Sequence, residues 1–290
     1  MKIPLISLFW FICGSFLTFA APSLTESIFT EIIKEANVVT SSDKTATPAR
    51  KNDLFRLPDL VRTGRDSRVE MTAKDQTITR IGANTTFTFA QNSRDILLKK
   101  GGVLFHSPAG AGGGAIKYNG SSAAVLGTTV IGQALPDGRF KVLTLEGEVE
   151  VTLANGVKTK LKPGQMVIVS ADGTVLSDVT DFNIAELVSH LLLVVGFSEP
   201  LSSRALIMEA IKQQNAEIAS GSLTISTPWQ EAIQGLDVVF GPLNDSSVYL
   251  NNRDQWWNPL DFPGNGGPGI MPQFPVISPL PITDTNPQGS

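Results

Sequence analysis

From Gly147 to Leu153 apolar and polar residues alternate strictly: Gly147-Glu148-Val149-Glu150-Val151-Thr152-Leu153. A period of two places one set of side chains on each face of a strand, so this stretch predicts a strand with one buried and one wet face. Asn155-Gly156 follows, and then Val157, Thr159 and Leu161, separated by Lys158 and Lys160. Asn-Gly supplies the positive φ values of a type I′ turn, so the two runs are expected to form a β-hairpin. The same texture extends over residues 37–176. Short runs of Val, Thr, Ile and Leu are interrupted at intervals of roughly eight to twelve residues by Gly, Asp or Asn, the pattern of many short antiparallel strands. Pro136-Asp137-Gly138 and Ala171-Asp172-Gly173 supply two further tight turns. The expected fold is an all-β core, either a two-sheet antiparallel sandwich or a short β-roll, followed by a C-terminal helical hairpin and a disordered tail.

The flanks differ in period. Lys2 is the only charge before an apolar run from Ile3 to Phe19, and Ala20, Ala21 and Pro22 follow. This order predicts a signal peptide over residues 1–20 and export to the periplasm or cell surface. The small-residue exit favours cleavage over retention as a membrane anchor, so the mature chain is expected to carry no transmembrane span. Cys13, the single cysteine, lies inside that run, so the mature protein would lack thiols and disulfides. Residues 21–36 form a lead-in with Ile28, Phe29, Ile32 and Ile33 at near-helical spacing, compatible with a short helix or an irregular strand. Within 177–220, Asp181 can cap a helix carrying Ile184, Leu187, Val188, Leu191 and Leu192. Beyond Glu199-Pro200, Ser202 or Ser203 can cap a second with Leu206, Ile207, Ala210, Ile211 and Ile218 on one face. Residues 221–290 decay into Pro, Asn, Gly and Asp, too poor in apolar surface to offset the entropy of ordering. Trp256 and Trp257 stand out there, either as a local contact with the folded domain or as a docking anchor for a partner.

Composition narrows function. Hydrophobic residues make up 42% and charged residues 17% of 290, and the formal net charge is −4. A core of good size is available, while a nucleic-acid partner has no electrostatic basis. His106 and His190 are the only histidines and fall in different elements, so they read as packing or surface residues rather than metal ligands. Gly110-Ala111-Gly112-Gly113-Gly114-Ala115 fits Gly-x-Gly-x-x-Ala. However, Ile116-Lys117-Tyr118-Asn119-Gly120 behind it reads as a strand or turn, not the helix a dinucleotide site needs. No Gly-x-Ser-x-Gly elbow and no Asp-x-Asp-x-Asp calcium loop occurs. The expectation is a protein that is not an enzyme and uses no cofactor or metal.

A set of ordered blocks resembles the periplasmic domain of the FecR family of cell-surface signalling regulators. They are Val61-Arg62-Thr63-Gly64-Arg65-Asp66-Ser67-Arg68-Val69-Glu70, Thr77-Ile78-Thr79-Arg80-Ile81-Gly82-Ala83-Asn84-Thr85, Leu98-Lys99-Lys100-Gly101-Gly102-Val103, Val125-Leu126-Gly127-Thr128-Thr129-Val130, Leu145-Glu146-Gly147-Glu148-Val149 and Leu161-Lys162-Pro163-Gly164-Gln165. The positions that carry the resemblance are Gly64, Ser67, Arg68, Gly82, Gly101, Gly127, Thr128, Gly147, Gly164 and Gln165. Each has a structural explanation: glycines at turns or close approaches, Ser67 and Thr128 bonding backbone at strand ends, Arg68 pairing with Glu70 or Asp75. Family regulators place a cytoplasmic anti-sigma segment before a membrane helix, whereas here an apolar run begins at residue three. The resemblance therefore implies a stand-alone exported form, a binding or scaffold module of the bacterial envelope whose partner is an envelope protein or a glycan. The alternatives are an accessory of cell-surface signalling that binds a membrane receptor and a carbohydrate-active enzyme with paired carboxylates.

Overall fold

The computed structural model describes Leu24 and residues 27–239. The expected signal segment, the Pro-rich stretch from residue 240 onward, and Trp256 and Trp257 lie outside the described residues. The chain forms β1 (Ile28–Ile33), β2 (Ala36–Val39), β3 (Ala46–Pro48), β4 (Leu60–Thr63), β5 (Arg68–Thr72), β6 (Ile78–Ile81), β7 (Thr86–Phe89) and the long β8 (Asp95–Ser107). Next come β9 (Gly114–Tyr118), β10 (Ser121–Val125), β11 (Thr128–Ala134), β12 (Phe140–Glu146), β13 (Val149–Thr152), β14 (Lys158–Leu161), β15 (Gln165–Val169) and β16 (Thr180–Asp181). Four helices follow, α1 (Ile184–His190), α2 (Leu192–Val195), α3 (Arg204–Ala219) and α4 (Trp229–Ile233).

The strands build two packed sheets that share β8, and neither closes into a barrel. One sheet runs β1-β5-β6-β8-β11-β12-β15-β16 and the other β3-β2-β4-β7-β8-β9-β10-β13-β14. All pairings are antiparallel except β8 with β9. The first half of β8 pairs in the second sheet, and the half from Gly101 onward in the first. Gly101 at φ +82° makes the passage; a Cβ there would run into Thr85 Oγ1. Strands that change sheet at such a bend are how sandwiches turn corners.

A continuous apolar core lies between the sheets. Val69, Ile81, Val103, Phe105, Val130, Phe140, Val142 and Val167 come from the first, and Val61, Phe87, Phe89, Ile96, Ile116, Ala123, Val149 and Val151 from the second. A separate core, with Leu104, Ile131, Leu143, Leu145, Met166 and Ile168 on one side and Ile184, Leu187, Val194, Ile207 and Ile211 on the other, seats the helices on the first sheet. We call that sheet inner, because both its faces are covered, and its partner outer. The alternation at 147–153 is realised on the outer sheet, where Val149, Val151 and Leu153 are buried and Glu148, Glu150 and Thr152 are not.

Several local expectations change. The β13–β14 connection is not a type I′ turn. Asn155 keeps an ordinary φ, Gly156 alone reaches +85°, and Leu153 N–H bonds Val157 C=O at 2.8 Å. The three-residue loop Ala154-Asn155-Gly156 thus makes a type I turn closed by a left-handed glycine. In the lead-in, residues 28–33 are a strand, held by pairing to β5 and by burial of Phe29. Strands β1 and β16 flank the 37–176 span and pair into the same sheet. Helix α1 is capped by Asn183, whose side chain accepts from Glu186 N–H, not by Asp181, which sits in β16. Leu191, extended at ψ 115°, divides the expected first helix into α1 and α2. Helix α4 was not foreseen.

Candidate functional site

The inner sheet carries a row of polar side chains on the face that the helices cover, where a one-sided sheet would have apolar ones. Arg80 on β6 is fully buried. Its Nε donates to Glu70 Oε2 at 2.8 Å, Nη1 to the carbonyls of Val194 (2.9 Å) and Leu193 (3.3 Å), and Nη2 to that of Glu199 (2.6 Å). Phe197 lies with its ring centroid 4.3 Å from the guanidinium carbon. Burial pushes this guanidinium down from its ordinary value and the Glu70 carboxylate opposes it. Arg68 reaches Gly196 C=O at 3.3 Å, and Glu31 accepts from Ser198 N–H and Oγ–H. The arginine expected to pair with Glu70 or Asp75 is thus turned to the 193–199 segment. Arg80 takes Glu70, and Arg94 takes Asp75 at 2.7 Å.

Lys141 on β12 is also fully buried, and its Nζ lies 2.6, 2.7 and 3.1 Å from the carbonyls of Gln234, Ala232 and Glu231. These belong to the C-terminal end of α4, where backbone acceptors are left over and cations are favoured. Burial pushes Lys141 down to about 7, and the nearby Glu231 charge raises it. As the ammonium Lys141 has a donor for each of the three carbonyls, and as the neutral amine it has two. Ala83 N–H donates to Asp237 Oδ2 at 2.7 Å, so the end of the helical layer is tied to the turn after β6 as well.

His106, Thr129, Glu146 and Ser203 form a third buried cluster. The Thr129 hydroxyl lies 2.6 Å from Glu146 Oε1, 2.8 Å from Ser203 Oγ and 3.0 Å from His106 Nδ1. A carboxylate only accepts, so Thr129 donates to Glu146, and its lone pairs face Ser203 and the imidazole. The hydroxyl proton is therefore directed at the carboxylate, not at the histidine, and a nucleophile–base pair is not formed. His190 packs edge-on to Trp229 at 5.5 Å and bonds Glu186 C=O at 2.8 Å. Among the described residues no group of three His, Cys, Asp or Glu side chains could hold a metal ion. The Gly110–Ala115 stretch leads into β9, not into a helix.

The outer sheet differs on every count. Its far face carries Arg62, Thr86, Asp95, Leu97, Lys99, Lys117, Ser122, Ala124, Glu150 and Thr152 in partly or fully exposed positions. Mostly polar side chains cover it, and ion pairs lie across it: Lys117–Asp95 at 2.6 Å between the central strands β9 and β8, and Lys158–Glu150 and Lys160–Glu148 at 2.7 Å towards the β14 edge.

The resemblance positions divide between turns and the helical seam. Ser67 Oγ accepts from Glu35 N–H and donates to Arg65 C=O, and Gly64 N–H bonds Glu35 C=O. Gly82 faces Asp237, Gly164 faces Gln214, and Arg68 reaches Gly196, so three of them lie against the helical layer. Gly101 makes the β8 bend, and Gly127 lies over Ala109. Gln165 Oε1 accepts from Lys162 N–H, and its Nε2 donates to Asp181. Thr128 does not bond backbone: its buried Oγ1 has no partner among the described residues, and its methyl abuts Gly147. Sequence reasoning missed Arg80, Lys141 and Glu146. Their one signal was a charge next to unbroken apolar runs such as Val142-Leu143.

The family model described as FecR protein matches residues 59–150, from just before β4 into β13. Two solved structures from Parabacteroides distasonis are similar, each of a "putative anti-sigma factor". One is 17% identical with a TM-score of 0.39, covering 53% of this chain and 74% of that one. The other is 14% identical with a TM-score of 0.38, covering 63% and 99%. No curated protein matches the chain. No helix among the described residues is long and apolar enough to cross a membrane.

Proposed function

We propose that this chain, which carries a FecR domain over residues 59–150, is an exported, non-enzymatic binding module of the bacterial envelope that meets a protein partner through its outer sheet. The observation that carries the reading is the asymmetry of the sandwich. Helices seal the inner sheet, and its buried charges are spent on their backbone carbonyls. Among the described residues the outer sheet leaves a face of mostly polar and paired charged residues uncovered. It offers no aromatic ring, among the described residues of that face, for a sugar to stack on, and this favours a protein over a glycan.

A photocrosslinking residue placed at Lys99 or Lys117 in the cell tests this. A discrete protein adduct from both positions, and none from Leu206 on the helical layer, is expected. Adducts from Leu206 alone, or from no position, would overturn it. A second reading, an accessory of cell-surface signalling, is favoured by the FecR domain itself. It is distinguished by the captured protein being a membrane receptor.

A further inference from the structure

Four sheet edges end this sandwich, and three are blocked. Ser226 and Thr227 N–H groups bond Asp181 C=O along β16. Residues 52–55 bond Ser27 and Phe29 beside β1. The three-residue β3 ends at Pro48, which has no N–H to offer. Among the described residues, β14 pairs with β13 and with nothing on its other side. The bond from Leu153 N–H to Val157 C=O sets the parity of the ladder. Residues 157, 159 and 161 turn their backbone groups to β13, and Lys158 and Lys160 turn theirs outward.

We propose that this outer edge of β14 is a docking edge for an extended acidic segment of a partner protein, added as one more strand. The inference rests on the binding-module reading above and names the partner's chemistry. Both outward-facing backbone positions within the strand belong to lysines, and the edge ends at Lys162, whose N–H and C=O are taken by Gln165 while its exposed side chain adds a third positive charge. Edge lysines ordinarily keep strands from pairing, and here they do so against one partner in particular, a second copy. In a two-fold antiparallel pairing, even-numbered positions face even-numbered positions, so lysine meets lysine in every central register. An acidic strand meets the opposite sign. The present partners of Lys158 and Lys160, Glu150 and Glu148, are exposed pairs of the kind easily exchanged or shared. Beside the edge stand Val157 and Val175, 54% and 61% exposed, on turns joined by the Asn155 Nδ2 bond to Thr174 C=O at 2.9 Å. Apolar residues alternating with the partner's acids would cover Val157.

The probe is a capped peptide Glu-Val-Glu-Val-Thr-Leu, the sequence that already faces β14 from β13, with Lys-Val-Lys-Val-Thr-Leu as control. Amide hydrogen exchange at Lys158 and Lys160 is followed in the full chain at low salt. Both amides are expected to exchange fast in the protein alone. Near-saturating acidic peptide should slow them by about tenfold, the ratio set by about 90% occupancy, and the basic peptide should leave them unchanged. The double variant Lys158→Glu/Lys160→Glu should reverse the preference. Lys160→Pro removes an outward N–H while sparing every bond to β13, and should abolish the effect with an unchanged melting temperature. Three results would overturn the proposal: no slowing by the acidic peptide, equal slowing by both peptides, or two amides already slow in the free protein. The last would mean that another copy or residues 240–290 hold the edge. Failure here alongside adducts at Lys99 and Lys117 sinks the edge and leaves the outer-face reading standing.

Discussion

Arg80 and Glu70 pair at 2.8 Å on adjacent strands of the inner sheet, directly beneath the 193–199 segment that the same guanidinium holds by three carbonyls. Removing one partner of a buried pair leaves the other charge uncompensated, which typically costs about 3–5 kcal/mol. Arg80→Met is therefore expected to destabilise the protein by about that much. Glu70→Gln, which keeps Arg80 bonded to the segment, should cost less. Urea denaturation of the two variants measures the difference. Equal losses would mean that the carbonyl contacts contribute little.

Lys141 makes stability depend on pH, and the sign follows from the direction of its shift. Its folded value is lowered to about 7 from 10.5. Between those limits the unfolded chain binds more protons than the folded one, so stability rises as pH climbs through this window. The contribution is absent below about pH 7, where both states are protonated. Denaturant midpoints at pH 7 and pH 9 should differ by more in the parent protein than in Lys141→Met. The same slope in both would remove Lys141 as its source.

Thr128 and Thr129 are neighbours with the same side chain and opposite situations. The Thr128 hydroxyl is buried without a partner among the described residues, whereas that of Thr129 bridges Glu146, Ser203 and His106. Thr128→Val should be neutral or stabilising by up to about 1 kcal/mol, since an unmade hydrogen bond is replaced by a methyl. Thr129→Val should cost about 2–3 kcal/mol by stranding the carboxylate. Melting curves of the pair decide the matter, and a reversed order would contradict the hydroxyl assignments.

Gly147 joins β12 to β13 at φ +76°, and a Cβ there would collide with Thr128 Cγ2. Gly147→Ala combines left-handed strain with that clash and is expected to lose about 2–4 kcal/mol. Adding Thr128→Ser removes the methyl and should recover part of the loss but not the backbone strain. A double variant as unstable as the single one would show that the clash is not felt.

The outer sheet was the legible half of this protein. Glu148, Glu150, Lys158 and Lys160 face water while Val149, Val151 and Leu161 face the core, and period two records that arrangement directly. The inner sheet was less so. In Phe140-Lys141-Val142-Leu143-Thr144-Leu145-Glu146 every residue is buried, so alternation carries no sidedness, and Lys141 looks like any solvated lysine until α4 arrives over it. Turn chemistry was readable as turns but not as types. Asn155-Gly156 specified a reversal, and the extra residue Ala154 set its geometry. The Asp181 cap failed because Asp181 and Thr180 were taken into pairing with β15.

By itself, then, the sequence determined that residues 37–176 would be short strands broken by turns and that Ile207 and Ile211 of α3 would face the core, consequences of spacing within about a dozen residues. It left sandwich or β-roll open, and it placed on that helical face Leu206, which the fold leaves exposed. Only the tertiary structure decided which sheet would be sealed, which buried cations would find acceptors, and which edge would stay open. Arg80 meets carbonyls more than a hundred positions along the chain, and Lys141 meets its own about ninety along. A charge buried between layers has no local signature, because what makes its burial tolerable is a backbone brought to it by folding.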